Sequence, residues 1–222
     1  MATVAGSQSA GGGAVTTPVT TAPAAAQTEM GAATSVVIAD PAPLGLAGFG
    51  ITTLVLSVVN AGWIGAAAGP AVLALAIPFG GVAQGLAGMW AFRRGNTFAA
   101  TAFTSFGAFW ISYYLLTNFF IHPVIAAGGT GVANQIVGMY LFAWGLFTAY
   151  MTIASLGGAR AVQLVFVLLT ATFFLLCIGA WADSMTWTHI GGYVGVATAA
   201  AAIYASFADV TNANLKRRIL PT

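Results

Sequence analysis

The chain is poor in charge. It has four acidic and six basic residues among 222, 5% of the sequence, where soluble domains carry roughly 25%. That excludes an ordinary water-soluble domain. The net charge of +2 points to no nucleic-acid partner, because only six basic residues are present. Cysteine is nearly absent. Cys177 stands alone in an apolar run, so no intrachain disulfide can form and the residue reads as a small buried hydrophobe. No Arg, Lys, Asp, Glu or His falls in the central part of any long apolar segment; His122, Asp183, His189 and Asp209 all lie near segment ends. A carboxylate proton relay inside a membrane is therefore not expected. The same shortage supplies no nucleophile with a base partner and no cluster of metal ligands, which argues against an enzyme, a metal site or a cofactor. The sole lysine, Lys216, stands beyond the last apolar segment, out of reach of a mid-membrane Schiff base.

What is there is hydrophobic: 59% of the residues. Six apolar segments follow one another at about 44–66, 71–92, 98–121, 131–156, 161–182 and 189–209. Each is long enough to cross roughly 30 Å of hydrocarbon at about 1.5 Å per residue. The expected fold class is all-α, a polytopic membrane protein of six transmembrane helices in the cell membrane. Arg93, Arg94, Arg160, Lys216, Arg217 and Arg218 all fall on one side if the N-terminus is inside, so both termini are expected in the cytoplasm. Residues 1–36, rich in Ala, Gly, Thr and Pro, read as a disordered cytoplasmic tail without the features of a signal peptide. Residues 37–212 form the expected membrane domain and 213–222 a basic cytoplasmic tail.

Residues 40–50, DPAPLGLAGFG, mark the start of the first helix. Proline is tolerated in a first turn, where its missing N–H would be unpaired anyway, and Asp40 is the expected N-cap. Such a start turns backbone N–H groups and the positive end of the helix dipole toward the preceding space. In a chain with so few cations, Pro41, Ala42, Pro43, Leu44, Gly45 and Leu46 are thus candidates to hold a small anion. Phe49, Thr53 and Asn60 share one face of that helix. They either line a wet path or bond within the helix bundle. Gln84 shares a face with Gly81, Gly85 and Gly88, where it serves either a substrate or a neighbouring helix. The steps Gly131, Gly138, Gly145 and Gly191, Gly195, Ala199 are packing signals. Ala102, Phe106, Phe109, Trp110 and Tyr113 form an aromatic face that pattern alone leaves as core, lipid-facing surface or pore.

Residues 40–50 resemble the NPAPLGL signature of the acetate uptake transporter family, the bacterial acetate/succinate permeases of the YaaH/SatP type. RRGNTFAATAFTSFGAFW at 93–110, GARAVQLVF at 158–166 and AAAIYASFADV leading to the terminal RRILPT stand in that family's order and spacing. The resemblance implies a membrane permease or channel for acetate and related small carboxylates, and leaves open whether flux is proton symport or channel-like. It implies a homo-oligomer in the bilayer, a hexamer. It also implies a hydrophobic constriction of Phe49, Phe106 and Leu169, and a small residue, Ala202, associated with substrate size. The family often has tyrosine where Phe106 stands and usually asparagine where Asp40 stands. A channel for a neutral solute such as ammonia is the alternative reading. A water pore is disfavoured, because the DPA motif occurs once and no arginine lies in a segment.

Overall fold

The computed structural model describes residues 38–222; the expected tail at 1–36 lies outside them. Among the described residues all regular structure is helical, and five helical stretches are long and apolar enough to cross a membrane.

The first is α1, Ala42–Asn60, with Pro41 as its N-cap and Pro43 in its first turn. It ends earlier than the apolar composition suggests. Ala61, Gly62 and Trp63 turn back onto the carbonyls of Ser57, Val59 and Val58, and Gly62 has φ 74°, a conformation that glycine adopts without strain. The second stretch, Ala66–Arg93, is irregular. A 3-10 turn at Ala66–Val72 leads to a short α2, Leu73–Leu75, then to a π-helical segment, Ala76–Ala83, and α3, Gln84–Arg93. Pro78 lies inside the π segment, where its missing N–H and bulky ring favour a locally widened turn.

The third stretch runs from Thr97 to Ser155 and contains α4, Thr97–Leu115, a π segment, Leu116–Phe120, and α5, Ile121–Ser155. Asn96 caps α4, its Oδ1 accepting the Ala99 N–H at 3.0 Å. In the π segment, Thr117 and Asn118 donate side-chain hydrogen bonds to the carbonyls of Tyr113 and Tyr114, competing with the regular ladder. Gly129 has φ 77° and ψ 176°, which breaks α5 near its start. Phe109 stacks on Tyr140, and Phe106 meets Phe147 edge-on. Earlier residues of α4 therefore face later residues of α5, so the chain doubles back between them.

The last two helices are α6, Arg160–Trp181, and α7, Met185–Leu215. α7 packs against both α6 and α1. A Cβ on Gly192 would run into the backbone of Asn60 and Ala61, so glycine sets how closely α1 and α7 approach. Ser206 Oγ donates to the Pro43 carbonyl at 2.7 Å, fixing the start of α1 to α7. Gly107 plays the corresponding role between α4 and the backbone of Gly81 and Gly85. After α7 the chain folds back. Asn212 Oδ1 accepts the N–H groups of Ile219 and Leu220, its Nδ2 donates to the Leu220 carbonyl, and Tyr204 OH donates to the Pro221 carbonyl.

Candidate transport path

Phe49 on α1, Phe106 on α4 and Leu169 on α6 converge in the centre of this bundle. All three are buried, at 4%, 3% and 4% exposure, and the two rings lie 5.6 Å apart, tilted by 52°. Phe106 is held by Trp144, Phe147 and Phe166. With Leu46, Gln84, Ala102, Phe103, Val165 and Phe166, the three side chains enclose a cavity of only about 20 Å³. That is space for about one water molecule. The constriction is closed to a carboxylate in this conformation.

Larger cavities adjoin it on either side. One of about 260 Å³ shares Phe49 and Leu169 with the constriction and is also lined by Thr53, Ser57, Asn60, Trp110, Tyr140 and Thr172. The other, about 470 Å³, shares Leu46, Ala102, Phe103 and Phe166 and is also lined by Ala42, Asn96, Ser155 and Asp209. The three form a row through the bundle, with the apolar collar between two wider chambers.

The collar is not wholly apolar. Gln84, 1% exposed, forms part of its wall, and its Oε1 has no hydrogen-bond partner; Thr53 Oγ1 and Trp110 Nε1, whose residues line the 260 Å³ chamber, have none either. Buried polar atoms ordinarily find partners. Two other hydroxyls in this chamber are already engaged: Tyr140 with Ser112 and the Phe109 carbonyl, and Thr172 with Thr198 and the Leu168 carbonyl. The Thr53 hydroxyl and the Trp110 indole N–H thus offer unpartnered donors beside the narrowest point, whereas the free Gln84 Oε1 is an acceptor; no cation is among them.

The start of α1 offers less than its sequence suggests. Pro41 and Pro43 carry no N–H, the Ala42 N–H is taken by Asp40 Oδ1 at 3.0 Å, and the Gly45 N–H by the Pro41 carbonyl at 3.1 Å. Leu44 points outward, 46% exposed. Few amides are thus left free here for the expected anion. Ala42 and Leu46 do line the 470 Å³ chamber, whereas Pro43 and Leu44 line an outer groove against α7. Gly45 sits under the Phe103 ring. Ala202, fully buried, faces Gly50 of α1 and stands outside the walls of the three cavities. Ser57, Tyr140, Phe103 and Phe166 are path-lining residues that the sequence does not single out. Ser57 was within reach, because it continues the helical face of Phe49, Thr53 and Asn60.

Comparison with known proteins decides the lineage. Residues 24–221 match the model of the GPR1/FUN34/yaaH family. The chain belongs to that family. It is 42% identical over 185 residues to the succinate-acetate/proton symporter SatP of Escherichia coli strain K12, a match covering 83% of this chain and 95% of the relative. It is 37% identical over 177 residues to ammonia transport outward protein 3 of Saccharomyces cerevisiae, covering 78% of this chain and 63% of that one. A solved structure described as the bacterial acetate channel SatP superposes with a TM-score of 0.74 at 41% identity, covering 83% of this chain and 99% of the other.

Proposed function

We propose that this family member moves acetate and related small carboxylates, succinate among them, across the cell's inner membrane, and that it is a transporter or channel with no enzymatic activity. The observation that carries the reading is the closed collar of Phe49, Phe106 and Leu169 between two chambers, with the unpartnered Thr53 hydroxyl and Trp110 indole N–H beside it. A carboxylate leaving a chamber loses water at the collar. Neutral donors from Thr53 and Trp110 replace part of that shell, while the apolar rings exclude bulk solvent. Donors without full charge hold an anion loosely enough to release it, as conduction requires. Opening needs ring movement, since the resting gap is about one water wide.

The proposed topology has six crossings with both termini cytoplasmic. The reversal between α4 and α5 supports six. The gathering of the six basic positions on one side supports the orientation. A ring of copies, six as the sequence resemblance implies, would give each protomer its own path. With no ionisable group in the collar, a coupled proton would travel on the weak acid or be handled at the chamber ends.

Labelled-acetate uptake into proteoliposomes, with and without an imposed pH gradient, tests the reading. Accumulation only with the gradient means symport, and simple equilibration means a channel. The similarity to a yeast protein named for ammonia transport favours keeping one further arm. Rapid ammonia permeation without acetate uptake would replace this reading with that of a neutral-solute channel.

A further inference from the structure

Beside the 470 Å³ chamber lies a second cavity, about 430 Å³, walled by Asp40, Pro41, Arg94, Gly95, Asn96 and Thr97 among others. Asn96 and Ala99 line both spaces, so this cavity adjoins the path. Arg94 Nη1 stands 3.2 Å from Asp40 Oδ1, and the same oxygen accepts the Ala42 N–H. One carboxylate oxygen of the chain thus bridges a guanidinium and a helix-start amide, the two kinds of partner that a free carboxylate seeks. The pair is half open to solvent, with side chains 36% and 58% exposed. An ion pair in that setting is weak and exchangeable.

We propose that Asp40 is a tethered occupant of a carboxylate site at this mouth, competing for Arg94 with permeant carboxylates and so setting the concentration at which they enter and leave. The idea rests on the transport reading above and adds an entry site distinct from the collar. Asp209 lines the neighbouring chamber and, with Asp40, an outer groove, so a second acidic side chain stands near the pair. Neutralising Asp40 leaves Arg94 free to attract the substrate. Neutralising Arg94 leaves Asp40 to repel it.

The test is labelled-acetate exchange in proteoliposomes for the wild type, Asp40→Asn, Arg94→Gln and Arg94→Lys. Asparagine keeps an acceptor for the Ala42 N–H, so Asp40→Asn removes the charge without removing that bond. Asp40→Asn should lower the KM about three- to tenfold with little change in kcat, and Arg94→Gln should raise it by a similar factor, as expected for one charge a few ångströms from the anion in a wet site. Arg94→Lys should stay near wild type. Shifts in opposite directions support the proposal; shifts in the same direction, or none, overturn it and leave a structural tie. If the wild-type protein itself moves no acetate, the transport reading fails instead.

Discussion

Replacing Gln84 by Met separates a substrate contact from a structural one, because the two roles have opposite consequences. Gln84 is buried, its Oε1 is unpartnered, and it borders the collar with Phe49, Phe106 and Leu169. Met is unbranched and fills a similar volume. A hydrogen bond to a charged group is worth about 1.5–3 kcal/mol, while an unsatisfied buried polar atom costs about 1–3 kcal/mol. Oε1 can only accept, so a contact with the passing carboxylate must come from the Nε2–H group; if it does, Gln84→Met should slow acetate flux by about 10- to 150-fold. It should also leave the resting fold as stable as before, or more so. Flux of labelled acetate in proteoliposomes and the melting temperature in detergent read the two effects independently. Unchanged flux with a lowered melting temperature would refute the reasoning, since it would mean that the amide holds helices together.

Other consequences follow from the same geometry. Phe106→Tyr puts a hydroxyl into a collar that lacks one, and should lower the KM for acetate by about tenfold, the effect of one charge-assisted hydrogen bond, in the same flux assay. Leu169→Ala widens the 20 Å³ gap. It should speed longer carboxylates more than acetate in competition uptake, at a cost of about 2–5 kcal/mol in stability. Ala202→Leu drives a side chain toward Gly50, since the Ala202 Cβ is only 3.2 Å from where a Cβ on Gly50 would stand. Displacement of α1 should cost about 1–3 kcal/mol and change relative uptake of acetate and succinate through Phe49, measurable as the ratio of their initial rates.

How much of this was legible beforehand depends on which interactions were local. The proline-marked start of α1 and the face shared by Phe49, Thr53 and Asn60 could be read directly, because helical spacing brings those residues together without knowledge of the rest of the fold. Phe106 and Leu169 could be assigned only through family resemblance. An aromatic or leucine stripe has the same period whether it meets lipid, core or a path. The end of α1 was hidden because apolar composition continues through the Gly62 turn and sequence hydropathy does not register a backbone angle. The fate of the α1 amides was hidden too, since Asp40 sits two residues upstream of the N–H it takes. The Asp40–Arg94 pair joins residues from different elements, so only the fold could bring them together. Ala202 likewise needed the fold, because its proximity to Gly50 depends on how α1 and α7 cross.

The anchoring of the chain's last residues has a practical consequence. Asn212 grips Ile219 and Leu220, and Tyr204 grips Pro221, so anything genetically fused after Thr222 departs from a fixed point on the helical scaffold instead of a loose string. A fluorescent or protease-cleavable reporter joined there would inherit a defined side of the bilayer, and its accessibility to an impermeant quencher would reveal which compartment that side faces.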